Sequence, residues 1–446
     1  VLSNALSKTF GVTAPIVVYN SLGWKRTSYV YVSVGSTNII VRNSQGALVP
    51  SQINTVQTNQ KQGNSTASNS YMLLFSAEVP ALGFATFYLV STSSTANTTS
   101  IAKTRVVWND GAKGTTTINS IPIKNAQQNA EDIVISNSVY EVTVCQSTGR
   151  LCRIVNKVSN VDVKLDHQFM AYDSFFNSTL GQTSGAYIFR PLTQQANSIL
   201  SGASSRPLTS VTLGTQVKQI IQNFTSYASQ VIRLYENDPN FIEIEYTVGP
   251  LPGNKEFISR FSTSIENQRS IYTDHNGIEL IKREFYNGTL EPVSVNYYPI
   301  QYAAQISDEK SASMTLITDR SHGVASMNNG DIEVMIHRRC MQDDFRGLGD
   351  KFPLDDDTVI QPQFRIIVDL PSKSAAARHA AVYTNNFPVD VFALQNPRDY
   401  PVSWQFFSST YRTVYSPLNG QSMAPNMHLL TLQAAQRDTS GVILRF

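Results

Sequence analysis

Charged side chains concentrate between His337 and Asp350. Three arginines, three aspartates and two glycines stand among these fourteen residues, whereas charged residues make up 15% of the whole chain. Arginine forms fixed, bidentate pairs with carboxylates, and glycine allows turns that other residues resist. The stretch therefore predicts a braced, charged loop that is either a structural device or part of a binding site.

Two groups of aspartates have the residue type that glycoside hydrolysis uses, because that reaction needs two carboxyl groups. The groups are Asp343–Asp344 and Asp355–Asp357. Neighbouring residues of a strand point to opposite faces of a sheet. Neither group therefore presents an obvious catalytic pair.

Metal and nucleophile motifs are not visible in the sequence. The histidines are scattered and form no H-x-H, H-E-x-x-H or H-x-D pattern, and no serine stands in a G-x-S-x-G elbow. We interpret them as core or surface residues. They are His167, His275, His322, His337, His379 and His428.

Composition limits the class of protein. The 446 residues are 41% hydrophobic, with 20 Tyr and 21 Phe, and correspond to about three domains at ~150 residues each. The net charge of +2 comes without a basic block, so nucleic-acid binding is unsupported. No apolar run approaches the ~18–20 residues of a membrane span.

Several features favour a secretory route. Cys145 and Cys152 flank a predicted hairpin turn, which would bring the two thiols together as a disulfide and leave Cys340 over. Glycosylation sequons occur at five positions. These are Asn64, Asn97, Asn177, Asn223 and Asn287.

Hydrophobic periodicity predicts a mostly β protein with little helix. Residues 1–104 read as the end of a helical segment plus a small β-sandwich, 105–388 as a large β unit, and 389–446 as the start of a further β region. Alternation in Ile332–His337 predicts a strand that leads into the charged stretch. One helix is expected at Ser372–Tyr383, with Ser372 or Ser374 as its cap. Apolar residues at both ends of the chain lead us to expect that other polypeptide covers them.

The order of residues in the charged stretch, H-R-R-x-x-x-D-D-x-R-G-x-G, resembles a signature in the C-terminal half of the family 38 glycoside hydrolases, the zinc-dependent α-mannosidases. Four other stretches resemble motifs of that family and come in the family's order. The lysosomal or acidic subgroup is the most similar. The four stretches are Val17–Trp24 (with Ser21 where proline is usual), Val79–Phe84, Ser184–Pro191 and Asn296–Pro299.

The resemblance implies a large antiparallel β-supersandwich of the galactose-mutarotase type. In the family, the zinc ligands and the nucleophilic aspartate belong to an N-terminal α/β domain. The resemblance therefore implies that this chain is a C-terminal portion without catalytic residues, and that Zn²⁺ is held outside it. The implied partners are the N-terminal catalytic polypeptide and mannose-containing glycans, while a homo-oligomer is left open.

Two residues are implied to reach the substrate. The family places a tyrosine of the S-G-A-Y loop and an arginine of the C-terminal half at the sugar, which corresponds here to Tyr187 and to Arg346, with Arg339 as the alternative. Otherwise Tyr187 would be a core tyrosine, and Arg346 would brace the loop by pairing with Asp343 or Asp344.

The function implied is retaining, zinc-dependent exo-α-mannosidase activity on terminal α-mannose of N-glycans and oligosaccharides, in a lysosome or vacuole or after secretion. This chain alone is expected to be inactive. The alternative is a non-catalytic carbohydrate-binding or structural β-sandwich protein. A mutarotase-like epimerase would need His/Glu pairs in the sandwich cleft, and the sequence shows no such constellation.

Overall fold

The computed structural model describes residues 13–55, 71–93, 99–108, 131–200, 206–288, 290–347, 354–393, 403–424, 427–435 and 441–446. These residues form sheets that are antiparallel except for one parallel strand pair, together with short helices, which confirms the mostly β fold class. The helix expected in residues 1–10 lies outside the described residues. None of the helices described is long and apolar enough to cross a membrane.

The first part of the chain folds into short strands whose side chains alternate between core and surface. These strands are β1 (Thr13–Asn20), β2 (Arg26–Val34), β3 (Ile39–Arg42), β4 (Leu48–Val49), β5 (Ser51–Thr55), β6 (Tyr71–Val79), β7 (Gly83–Ser91) and β8 (Thr99–Ile101).

The central part holds longer strands and one short 3-10 turn, Ser294–Asn296. The strands are β9 (Lys103–Trp108), β10 (Ile133–Ser136), β11 (Tyr140–Val144), β12 (Leu151–Asn156), β13 (Val161–Asp173), β14 (Asn197–Ser198), β15 (Leu208–Leu213), β16 (Val217–Thr225), β17 (Ala228–Tyr235), β18 (Ile242–Val248), β19 (Lys255–Thr263), β20 (Ile271–His275), β21 (Glu279–Arg283), β22 (Tyr298–Ile300), β23 (Ala303–Ser307), β24 (Ser313–Thr318), β25 (His322–Ala325), β26 (Asp331–Arg339) and β27 (Gln363–Asp369).

The last part adds two helices and four short strands. They are α1 (Ser374–Asn386), β28 (Asp390–Ala393), α2 (Trp404–Thr410), β29 (Val414–Tyr415), β30 (Thr431–Ala434) and β31 (Val442–Arg445). β31 pairs with β30, and Val442 and Leu444 on it are exposed.

The first strands form a small sandwich of two sheets. One has the order β28-β1-β7-β3-β4 with β29 also on β7, and the other has the order β2-β6-β5-β8. Alternate residues of both sheets pack into one apolar core, which includes Ile16, Val18, Val30, Leu73, Phe75 and Leu89. β28 and β29 belong to the predicted third region and yet extend this first sandwich.

The central strands form a larger sandwich. The described strands of one sheet follow the order β10-β11-β12-β13-β19-β26-β25-β22, with β14 also on β13, and those of the other follow β21-β20-β23-β24-β27-β18-β17-β16-β15-β9. One continuous core lies between them, and burial of its aliphatic and aromatic side chains is the main stabilising contribution. This core includes Trp108, Tyr140, Phe169, Tyr246, Phe257, Phe261 and Phe364.

Helix α1 covers the outer face of the second sheet, where Ala381 and Val382 pack with Ile317 and Ile367. The expectation that a serine caps this helix is wrong. Ser374 is its first residue, and its hydroxyl donates to Pro371 O and accepts from Gln305 Nε2 instead. The hydroxyl is thus used to anchor α1 to β23.

Candidate functional site

Two loops begin at the same end of the first large sheet, after strands that are both neighbours of β19. β13 ends at Asp173 and β26 ends at Arg339, and both residues lie opposite Lys255 on the shared neighbour β19. The loop after β13 contains the S-G-A-Y motif, and the loop after β26 contains the charged stretch. The topology therefore brings two motifs together that lie far apart in sequence.

The Asp344 carboxylate joins the two loops. It is fully buried, and its Oδ2 accepts hydrogen bonds from Tyr187 N at 2.5 Å and Ile188 N at 2.9 Å. Its Oδ1 accepts one from Arg346 N at 3.2 Å. Three backbone N–H groups, from residues of both loops, thus satisfy this buried carboxylate.

Further bonds fasten the contact between the loops. Gln182 Nε2 donates to Asp344 O at 2.6 Å, and Thr183 Oγ1 donates to Asp343 O at 2.8 Å. A Cβ on Gly185 would lie 2.5 Å from Asp344 N. The loops therefore approach so closely that the position between them requires glycine.

Arg338, near the end of β26, also anchors the S-G-A-Y loop. Its NH2 group donates to Ile188 O at 2.9 Å and to Glu256 Oε1 at 2.6 Å. Burial raises the pKa of Glu256, and the Arg338 charge opposes that rise. Cys340 is buried and free beside this pair, and burial raises the pKa of its thiol, so it has the features of an inert core cysteine.

The N-Y-Y-P motif supports the loop from its other side. Tyr297 donates its hydroxyl to the fully buried Glu333 carboxylate, and Arg260 Nε donates to the same carboxylate at 2.6 Å. The Tyr297 ring packs edge-on against Phe189, with ring centroids 5.4 Å apart. Ser294 Oγ also donates to Phe189 O at 2.6 Å. These contacts fix the residues that follow Tyr187.

Tyr187 and Arg346 lie on these two loops, next to each other through Asp344. The Tyr187 side chain is 62% exposed, which excludes the core-tyrosine alternative. Arg346 is also exposed, and its NH2 group donates to Gln182 Oε1 at 2.6 Å. Within the described ranges Arg346 forms no ion pair with either aspartate, so the loop-bracing alternative is wrong as stated.

Arg339 points elsewhere. Its Nε donates to Asp355 Oδ1 at 2.6 Å and its NH1 donates to Leu251 O at 2.9 Å. These bonds tie the end of β26 to neighbouring loops. Arg339 thus has a structural role here, whereas the backbone nitrogen of Arg346 shares the Asp344 carboxylate with that of Tyr187.

Asp343 differs from Asp344 in its hydrogen bonding, which the sequence did not predict. The residue is 5% exposed, and both of its carboxylate oxygens are buried without a hydrogen-bond partner in this structure. The paired sequence Asp-Asp was the available signal, but residue type alone could not say which carboxylate is satisfied.

The sequence profile described as "Glycosyl hydrolases family 38 C-terminal domain" matches residues 135–346, a range that contains the S-G-A-Y loop and the charged stretch as far as Arg346. Lysosomal α-mannosidase of Mus musculus is 33% identical over 431 residues, which cover 94% of this chain and 39% of the relative. The chain belongs to glycosyl hydrolase family 38.

Other comparisons agree with this family 38 assignment. The lysosomal α-mannosidase of Dictyostelium discoideum is 29% identical, covering 98% of this chain and 42% of that protein. The crystal structure of an α-mannosidase from Enterococcus faecalis V583 shares the fold, with a TM-score of 0.54, 14% identity, and coverage of 87% of this chain and 47% of that one. The family 38 chain thus spans about two fifths of the length of the curated relatives it matches.

The described part of this family 38 chain does not fit a zinc ion, because it contains no group of three or more His, Cys, Asp or Glu side chains in a metal-binding arrangement. We therefore derive no catalytic step through zinc from these residues. His167 illustrates the point: it lies in the apolar core, bonded to Ser259 Oγ at 2.9 Å, and burial lowers its pKa to about 3.

The covalent predictions have separate outcomes. The Cys145–Cys152 disulfide is confirmed, with a Cα–Cα distance of 5.8 Å across the β11–β12 hairpin. Among the sequons, Asn177 and Asn287 are exposed in loops, whereas Asn223 is half-buried on β16. Asn64 and Asn97 lie outside the described residues. Glycosylation itself stays a prediction.

Proposed function

We propose that this chain supplies the β-domains and part of the sugar-contact rim of a retaining, zinc-dependent exo-α-mannosidase. The enzyme would hydrolyse terminal α-mannose of N-glycans and oligosaccharides. The observation that supports the proposal is the joint at Asp344, whose carboxylate accepts hydrogen bonds from the backbone nitrogens of both Tyr187 and Arg346, two residues with exposed side chains. The names of the relatives, which are α-mannosidases, support the same activity.

The two exposed side chains suit a neutral sugar. A phenol hydroxyl can donate to and accept from a sugar hydroxyl, and a planar guanidinium can donate two parallel hydrogen bonds. Asp344 and Gln182 hold the backbone of Tyr187 and the guanidinium of Arg346 before any substrate arrives. In our proposal these residues therefore bind and orient the mannose and do not transfer protons.

The chemical step would belong to the N-terminal catalytic polypeptide of the same enzyme, which would also hold Zn²⁺. The surface around the joint is suited to such a partner, since exposed apolar side chains surround it. The apolar side chains are Phe176, Leu180, Leu192, Met341 and Phe345.

A lysosomal or vacuolar location belongs to the same proposal. Several relatives are named lysosomal α-mannosidases. The Cys145–Cys152 disulfide is typical of proteins that fold in an oxidising secretory compartment.

The proposal is tested by measuring hydrolysis of an aryl α-mannoside by this chain alone and after coexpression with the N-terminal catalytic polypeptide. We expect activity and stoichiometric zinc only in the combined protein. The alternative of a non-catalytic carbohydrate-binding protein predicts glycan binding by this chain and no activity in either preparation. The comparisons do not favour that alternative, because the relatives are α-mannosidases.

A further inference from the structure

A cleft of about 780 Å³ separates the small sandwich from the larger one. Its walls are the outer face of the β2-β6-β5 sheet and the outer face of the second large sheet. The walls meet where Tyr31 and Tyr235 share a hydrogen bond of 2.8 Å between their hydroxyls. The volume lies within the ~300–1,000 Å³ that is usual for small-molecule sites.

The strand register arranges the wall of the larger sandwich in parallel rows. The innermost row consists of the uncharged Gln219 and three charged residues, Arg233, Glu243 and Arg365. The second row is mixed and consists of Ile221, Val231, Glu245 and Gln363. The outermost row is polar and uncharged and consists of Asn223, Ser229 and Thr247, with Gln361 bonded to Thr247.

Asn223 faces the cleft because β16 alternates. Ile220 and Phe224 of this strand pack in the core between the large sheets, so Gln219, Ile221 and Asn223 face outwards. In the part of the chain that the structure describes, the Asn223 side-chain amide has no hydrogen-bond partner and is not sealed from solvent. Asn223-Phe224-Thr225 is also an N-glycosylation sequon.

We propose that Asn223 carries an N-glycan whose innermost sugar residues lie in this cleft, between the two sandwiches. The proposal rests on the secretory route proposed above. In the transfer, Nδ2 of Asn223 forms a bond to the anomeric carbon of an oligosaccharide linked to a lipid pyrophosphate. The bond from that carbon to the pyrophosphate breaks, the lipid pyrophosphate leaves with the electron pair, and the amide loses one proton.

The cleft has the chemistry that a glycan stem requires. Sugar hydroxyls and acetamido groups need donors and acceptors, and the row beside Asn223 offers hydroxyls of Ser229 and Thr247 and the amide of Gln361. The wall of the small sandwich adds the Asn54 amide, and the Tyr31 ring lies deeper in the cleft, where the two walls meet. A neutral polar sugar would meet no unpaired charge in this row, and it would contact both sandwiches.

The chain offers internal controls for a test. Asn177 and Asn287 are sequons on exposed loops, so glycans there would be open to an endoglycosidase. The full-length enzyme should be expressed in a host that adds unprocessed high-mannose glycans. Release at each site is then followed by glycopeptide mass spectrometry, with the protein native and, in parallel, denatured.

We expect the Asn223 glycan to be released at least about tenfold more slowly from the native than from the denatured protein, while Asn177 and Asn287 show ratios near one. An unmodified Asn223, or a ratio near one there, would overturn the proposal. If Asn177 and Asn287 are occupied in that case, the secretory route stands and only the cleft assignment fails. If every sequon is bare, the secretory route fails as well.

A second measurement tests the link between the sandwiches. Asn223→Gln removes the glycan while keeping Thr225, whose hydroxyl accepts a hydrogen bond from Tyr227 N, and Asn287→Gln does the same at an exposed loop. We expect the first variant to lower the melting temperature by several degrees and the second to leave it unchanged. Equal melting temperatures in both variants would contradict a structural role of the glycan in the cleft.

Discussion

Asp344 Oδ2 lies 2.5 Å from the backbone nitrogen of Tyr187, although the two residues are 157 positions apart in sequence. This bond and the neighbouring bond to Ile188 N determine where the Tyr187 ring projects. The aspartate therefore positions a binding residue, and a family 38 motif that is rich in charge has a largely structural explanation.

Asp344→Asn should weaken this joint. An amide keeps one acceptor oxygen but loses the charge and presents an N–H₂ group to backbone N–H donors. Hydrogen bonds to charged groups contribute about 1.5–3 kcal/mol each, so we expect a lower unfolding temperature and a fall in kcat/KM of the assembled enzyme. Thermal unfolding and steady-state kinetics measure the two effects.

Asp343→Asn is the matched control at the adjacent position. Its carboxylate oxygens have no hydrogen-bond partner in this structure, so the substitution removes no hydrogen bond. We expect the stability of this chain to stay the same or rise. A loss of stability equal to that of Asp344→Asn would show that both carboxylates are satisfied.

Gly185→Ala should displace the S-G-A-Y loop, because the new methyl group would lie 2.5 Å from Asp344 N and 2.7 Å from Asp344 Cβ. Gly323→Ala is the control, since its methyl group would meet Met335 Sδ at an ordinary 3.4 Å. We expect only the first variant to raise KM for an α-mannoside. Equal kinetics in both variants would contradict this prediction, because they would show that displacing the S-G-A-Y loop does not affect substrate binding.

Much of the fold was accessible from the sequence. Alternation located β26, and the turn between Cys145 and Cys152 predicted the disulfide, because both features are local. Two of the family motifs also contact each other in the fold, which the sequence alone did not show. Asn20 of the first motif donates through Nδ2 to Pro80 O of the second at 3.0 Å, so these motifs are two sides of one contact.

The site was less accessible, because it depends on pairing across the sheet. No local pattern shows that Asp173 and Arg339 flank the same residue of β19, or that Arg338 spans Glu256 and Ile188. Residue type suggested that Arg346 pairs with an aspartate. In the structure, backbone N–H groups donate to the Asp344 carboxylate, and the Arg346 guanidinium donates to Gln182 Oε1 instead.

Asp238 should make the protein more stable in acid. Burial in the cleft raises its pKa from 3.8 to about 6, although Arg365 and Arg26 oppose the rise. Between these two values the folded state binds more protons than the unfolded state, so this residue's contribution to stability increases as the pH falls from about 6 to about 4. Asp238→Asn should remove that part of the dependence in denaturant titrations at several pH values, and an unchanged slope would contradict the assignment.

His167 should act in the opposite direction. Burial lowers its pKa from 6.5 to about 3. Between these two pH values the His167 imidazole is protonated in the unfolded chain and neutral in the folded chain. Stability is therefore lost as the pH falls from about 6.5 towards 3. His167→Phe should reduce this loss while keeping a ring against Phe261.

The kinetics of Tyr187→Phe in the assembled enzyme test the account's central claim most directly. Loss of one neutral hydrogen bond to the sugar costs about 0.5–1.5 kcal/mol, which predicts a fall of roughly 2- to 13-fold in kcat/KM without a change in melting temperature. Arg346→Lys should also be harmful, because the planar fork is lost although the charge is kept. Tyr411→Phe, at a tyrosine of similar exposure outside both loops, is the control and should be neutral. Unchanged kcat/KM in Tyr187→Phe would contradict the claim that this chain contacts the sugar through Tyr187.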